Sequence, residues 1–222
     1  MRAVPPSAAV ALLAAVALLA GCGDAQQSAP AGALGTQGLG RALALARADG
    51  RMPWRLEVTT TRPGRGTRSQ FEADGEIDLL TSAGRATLHV AGFTAAQIPD
   101  MSITWTAAEV AAGGGKTLPR ADARVSGGQL GMLPDEVQGL AEIVADAQAV
   151  RERTNGSWTF TVPASTAVRR GIPPQPDPGD RWQGNASAAA DGRLRRVALT
   201  LPTPALGTTV PAGTARIELR LG

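Results

Sequence analysis

The stretch "QFEADGEIDLL", Gln70 to Leu80, decides the fold. Phe71, Ala73, Gly75, Ile77 and Leu79 alternate with Glu72, Asp74, Glu76 and Asp78. A period of two puts the first set on one face of a pleated strand and the four carboxylates on the other. One dry face and one wet face is the pattern of an antiparallel sheet packed on a single side. The same period returns on both sides of this stretch. Leu56 and Val58 share a face in "RLEVTT" (55–60), Ala86, Leu88 and Val90 alternate with Arg85, Thr87 and His89 in "RATLHVAGF" (85–93), and "SITWTAAEV" (102–110) continues with Ile103 and Trp105. Later come "SWTFTV" (157–162), a hairpin about Asp191-Gly192 in "RWQGNASAAADGRLRRVALTL" (181–201), and "TARIELRL" (214–221) with Ala215, Ile217, Leu219 and Leu221 on one face.

Two segments change to helical spacing. In "TQGLGRALALARADG" (36–50), Leu39, Leu43 and Ala46 fall on one stripe, with Thr36 as N-cap and Gly50 as stop. In "PDEVQGLAEIVADAQAV" (134–150), Pro134 opens a helix whose Val137, Leu140, Ile143, Val144 and Ala147 form one apolar stripe, and Asp135 and Glu136 sit near its positive end. Residues 112–132 are glycine-rich and without a clear period, and "GIPPQPDPGDR" (171–181) reads as an irregular loop. The four tryptophans, Trp54, Trp105, Trp158 and Trp182, stand singly in or beside strands and read as core. The fold class is α+β.

Ahead of this domain lies a different kind of sequence. Ala8 to Ala20 is unbroken apolar, with Arg2 the only charge before it. Thirteen residues are too few to cross a bilayer and match the hydrophobic stretch of a secretory leader. Cys22, the only cysteine, follows at once. The segment Leu19-Ala20-Gly21-Cys22 resembles the lipobox of bacterial lipoproteins. That resemblance implies cleavage between Gly21 and Cys22 and a diacylglycerol thioether on Cys22. Residues 1–21 are then the leader, 22–35 the lipidated cysteine with a flexible tether reaching about 20 Å, and 36–222 the folded domain. The expected place is the outer face of the cell membrane.

The composition excludes several functions. A formal net charge of +3, or +2 without Arg2, is too mild for nucleic acid or for a polybasic membrane patch. One cysteine allows no internal disulfide. "GGGKT" (113–117) has Val110 where a phosphate loop needs its first glycine. His89 is the only histidine and cannot build a zinc cluster. It lies on the wet face of its strand, and no serine sits in a nucleophile elbow. The row Glu72, Asp74, Glu76 and Asp78 reads as a solvated sheet face rather than paired catalytic carboxylates. No catalytic residue, metal site or cofactor is expected, and the chain is not expected to be an enzyme.

Three stretches, "ADGEIDLLTSAGRATLHVAG" (73–92), "LPDEVQGLAEIVADAQAVRERTNGSWTFTV" (133–162) and "NASAAADGRLRRVALTL" (185–201), resemble the LolA-like lipoproteins, most closely the actinobacterial LppX–LprG group. The resemblance implies a strongly curved antiparallel sheet, a half-barrel, with two or three helices on its concave face. In that family the space between sheet and helices holds acyl chains. Here the stripe Val137, Leu140 and Val144 is expected to face Ile77, Leu88, Val197 and Ile217 across that space. The expected partners are the membrane, through the anchor, and a lipid ligand. The other reading is an interaction or sensor module that docks an envelope protein, as in RseB-like regulators.

Overall fold

The computed structural model describes residues 31–89, 100–113, 115, 117–126, 128–154, 156–172, 181–205 and 211–222. The leader, Cys22, the tether up to Pro30, Lys116 and most of the proline-rich stretch lie outside the described residues.

Among the described residues, eleven strands form one sheet: β1 (Arg51–Arg62), β2 (Gly66–Asp78), β3 (Ala83–His89), β4 (Met101–Trp105), β5 (Glu109–Ala112), β6 (Thr117–Pro119), β7 (Gln148–Thr154), β8 (Ser157–Pro163), β9 (Arg181–Ala188), β10 (Leu194–Thr203) and β11 (Gly213–Leu221). Their order is β6-β5-β4-β3-β2-β1-β11-β10-β9-β8-β7, and every neighbouring pair is antiparallel. Two meanders are therefore joined in the middle, where the first strand pairs with the last. The alternation read in Gln70–Leu80 sets the register. Ala73 stands opposite both Leu56 and Leu88, and all three are buried.

The chain must pass from β6 at one edge to β7 at the other. It does so through α2 (Arg120–Ser126), α3 (Gly128–Glu142) and a 3₁₀ turn (Ile143–Asp146). Ten strand spacings would put the edges about 48 Å apart in a flat sheet. The two helices and the turn, laid end to end, reach only about 41 Å, and α2 and α3 pack on each other. The sheet must curl for this crossing to close. A second observation agrees. Trp54 on β1 and Trp105 on β4 are three strands apart, about 14 Å on a flat sheet, yet their ring centroids lie 6.3 Å apart. Gly84 makes room between them: a Cβ there would lie 2.5 Å from the Trp105 ring. The result is an open, curved half-barrel of the α+β class, with a single buried cluster between its concave face and the helices.

Four helices, rather than two or three, accompany the sheet among the described residues. The additional ones are short: α2, within the stretch that shows no period, and α4 (Ala164–Arg169). The first helix, α1 (Ala31–Ala48), starts five residues before Thr36, the expected N-cap. The extra turn has no hydrophobic period. Two glycines of α1 let the helix lie close on the sheet, Gly35 beside Val150 and Gly38 beside the Trp158 ring. Packing, not propensity, holds it.

A second boundary also moves. Pro134 does not open the long helix but lies inside α3. Proline inside a helix removes one hydrogen bond and crowds the preceding turn. Close docking on α2 compensates: Gly131 approaches the Ala123 carbonyl so nearly that a Cβ would lie 1.8 Å from its oxygen. The helical hydrogen bonding ends as a 3₁₀ turn, and Val150 belongs to β7, a strand not anticipated from the sequence.

Gly139 is another such contact, with the Arg170 carbonyl oxygen 1.6 Å from where a Cβ would stand. Gly139→Ala should therefore destabilise the domain at the upper end of the ~1–3 kcal/mol typical of overpacking. That corresponds to a Tm lower by roughly 5–10 °C. Gly40→Ala, where nothing lies within 4 Å, should be neutral or stabilising by about 1 kcal/mol. Thermal melts of the two variants check this, and equal Tm values would contradict the close approach.

Candidate functional site

The concave layer is built from alternate residues of the central strands and one row of α3 continued into the 3₁₀ turn. Leu133, Glu136, Val137, Leu140, Ala141 and Val144 follow helical spacing, and all are at most 3% exposed. The helix lies against β10 and β11, which carry Val197 and Ile217. All seven residues expected around an apolar space, Ile77, Leu88, Val137, Leu140, Val144, Val197 and Ile217, belong to the same buried cluster. None of them lines the surface clefts described below.

Polar ties along the rim fix α3 in place. Asp135, read from the sequence as a helix N-terminal residue, instead lies mid-helix and accepts from Arg120, at 2.8 and 2.9 Å, and from Arg124, both on α2. Arg120 also donates to the carbonyls of Ser82 and Thr106 at 3.3 Å each. Gln138 donates to the carbonyl of Leu79 at 3.3 Å. Three turns and strand ends of the sheet are thus fastened to one stretch of helix. At the far end Glu142 accepts from Arg47 of α1 at 2.8 Å and from Arg170 at 3.0 Å, while Arg170 also reaches Asp146 at 2.7 Å.

Glu136 departs from the sequence reading most. The helix begins at Gly128, so no dipole end favours its charge. It faces the core at 2% exposure, and its Oε2 has no partner among the described residues. Burial raises its pKa to about 7. The folded state therefore holds a proton from about pH 4.5 to 7 where the unfolded chain has released it. This group's contribution to stability falls as pH rises through that window, by about 3 kcal/mol in all. Glu136→Gln should remove that slope and stabilise the domain at pH 8. Urea melts of wild type and variant at pH 5 and pH 8 check it. The comparison is needed because His89, whose pKa is raised chiefly by Asp74, also loses stabilisation as pH rises. Parallel curves for the two proteins would contradict the buried position of Glu136.

The tryptophans are core, as their isolation in strands suggests. Trp54, Trp105, Trp158 and Trp182 are at most 5% exposed. The indole Nε1 atoms of Trp54, Trp105 and Trp158 have no acceptor among the described residues. This feature and the core-facing Glu136 were missed from sequence. Glu136 could have been found: it precedes Leu140 and Val144 by four and eight positions, on the same row.

The convex face is solvated and paired. Arg55 meets Glu72 at 2.8 Å, Arg85 meets Glu76 at 3.0 Å, and Asp78 accepts from the backbone N–H groups of Leu80 and Thr81. His89 bridges Asp74 at 2.7 Å and Asp100 at 3.1 Å. The acidic row is thus a set of surface ion pairs and a turn cap. Among the described residues no group of three or more metal-ligating side chains is placed to hold an ion. On β11, Glu218 is held by Arg196, Arg216 and Arg220 at 2.6–3.0 Å. Burial alone would raise its pKa, but the three guanidinium groups outweigh it and hold it at about 2.

Surface clefts lie elsewhere. One of about 440 Å³ runs between α1 and the β9–β10 turn, lined by Ala42, Leu45, Trp158 and Ala188–Ala190 with Arg41 beside them. Another of about 390 Å³ lies on the outer side of α3, lined by Met132, Gln138, Gly139, Val168 and Arg169 among others.

Solved structures align with the half-barrel over most of its length. The chain is similar to LprF from Mycobacterium bovis, with TM-score 0.43 and 14% identity over 86% of this chain and 92% of that one. It is similar to the lipoprotein LppX from Mycobacterium tuberculosis, with TM-score 0.43 and 13% identity over 86% and 94%. A LolA superfamily protein from Nitrosomonas europaea gives 0.35 and 8% over 85% and 91%. No family model and no curated protein matches the chain. The assignment of fold class rests on the strand order, curvature and burial given above.

Proposed function

We propose that the chain is an exported protein, anchored through Cys22 to the outer face of the cell membrane, that holds an acyl-type ligand between its sheet and its helices without catalysing a reaction. The observation that carries this reading is the construction of the concave layer. A continuous apolar cluster is roofed by α3, whose polar ties lie at the rim: Gln138 to Leu79, Asp135 through Arg120 of α2 to Ser82 and Thr106, and Glu142 to Arg170. Opening this layer would break those side-chain ties and leave the ladder hydrogen bonds of the sheet in place. The lipobox-like segment supplies the location. Titration of the purified protein with a fluorescent polyene fatty acid tests the reading. Saturable binding displaced by unlabelled palmitate is expected, and no binding would overturn it.

A second reading is a docking module for an envelope protein. The cleft between α1 and the β9–β10 turn favours it, because Leu45 stands there 36% exposed beside small apolar residues. Under that reading acyl binding is absent and Leu45→Arg abolishes capture of the partner.

A further inference from the structure

Trp54, Trp105 and Glu136 each carry a buried polar atom with no partner among the described residues. Trp54 and Trp105 are each 3% exposed, their rings are 6.3 Å apart, and neither indole N–H has an acceptor among the described residues. Glu136 is 2% exposed with Oε2 unpartnered. The rim ties bring its helix to the end of β4 that carries Trp105. Asp135 is joined through Arg120 to the carbonyls of Ser82 and Thr106. Trp105 immediately precedes Thr106, and its ring lies against Gly84, two residues beyond Ser82. Gln138 adds the tie to Leu79. Nearly all buried polar groups in native proteins have a partner, so these orphans, with Gln138 Oε1 on the same helix, form an unusual set.

We propose that Trp54, Trp105 and Glu136 are the polar end of the acyl site, and that they recognise a carbonyl linkage, an ester or a protonated carboxyl, on an otherwise apolar ligand. This inference rests on the acyl-binding reading above and adds to it where and how the ligand is oriented. An indole N–H can only donate. Burial keeps the Glu136 carboxyl largely protonated below neutral pH, and in that form it donates as well. The two indole N–H groups and the Glu136 O–H call for an acceptor. An ester carbonyl has two lone pairs and no proton, and an alkane has neither. A cationic head group fits less well, because the indoles offer it no acceptor edge at Nε1.

Equilibrium dialysis of the full-length protein at pH 6 against methyl palmitate and against hexadecane, both presented in cyclodextrin, separates the outcomes. Wild type is expected to bind the ester at least tenfold more tightly than the alkane. Glu136→Leu and Trp105→Phe should each cut that preference by about tenfold and leave hexadecane binding in place. Glu136→Gln, which keeps a donor, should retain most of it. Circular dichroism confirms that each variant is folded, and Trp105→Phe serves if Glu136→Leu is not. Equal binding of ester and alkane by wild type would overturn the inference while leaving the acyl site standing. An ester preference untouched by both substitutions would do the same. Binding of neither probe would overturn the inference together with the acyl-binding reading.

Discussion

Cys22→Ser is expected to remove the protein from the membrane fraction or to leave its leader uncleaved. Serine lacks the thiol that forms the thioether, so the diacylglycerol cannot be attached. Each buried lipid methylene contributes about 0.8 kcal/mol, and a single chain binds a membrane only marginally, with a partition constant on the order of 10⁴ M⁻¹. Two chains on one cysteine make the attachment stable, so losing both should change partition by several orders of magnitude. No described helix is long and apolar enough to cross a membrane in its place. Fractionation and intact mass of the mature protein check the result. A variant with wild-type mass shift and wild-type membrane fraction would contradict the anchor.

Leu140→Trp is expected to empty the acyl site. Leu140 is fully buried in the middle of the sheet-facing row of α3, and α3 lies on β10 and β11. An indole at this position occupies the volume an acyl chain would take when the roof lifts. Bound acyl chain should fall several-fold while the domain remains folded. The added volume should cost about 1–3 kcal/mol in the ligand-free protein, a Tm lower by up to roughly 10 °C. Lipid extraction from purified wild type and variant, with a thermal melt of each, checks both parts. A stable variant with undiminished lipid would place the ligand away from α3.

Most strands were legible from alternation with a wet face, while β6 and β7 were not. Alternation in Gln70–Leu80 needs no tertiary information, and the hairpin about Asp191-Gly192 follows from the turn it demands; Gly192 has φ of 84°. Helix starts were not legible. Nothing local says that Ala31–Gly35 is helical, because Gly35 and Gly38 act by letting α1 approach β7 and Trp158. Pro134 reads as a start because proline suits a first turn, and only the docking of Gly131 on α2 shows why the helix passes through it. The same misplaced start made Glu136 look like a helix-end carboxylate. Moved to mid-helix, it falls on the core row. The seven apolar candidates were legible as core from period alone. Whether that core opens for a ligand depends on the energy of lifting α3, which no residue pattern encodes. The two paired tryptophans could not be read as neighbours, because their contact exists only through sheet curvature.

Native mass spectrometry of the full-length protein, purified from its membrane and transferred with its own lipids, tests the central claim most directly. The account predicts a population heavier than the lipidated polypeptide by the mass of one acyl lipid, released by organic extraction and then found to carry a carbonyl linkage. A single species at the mass of the lipidated polypeptide alone, unchanged after incubation with excess methyl palmitate, would contradict it.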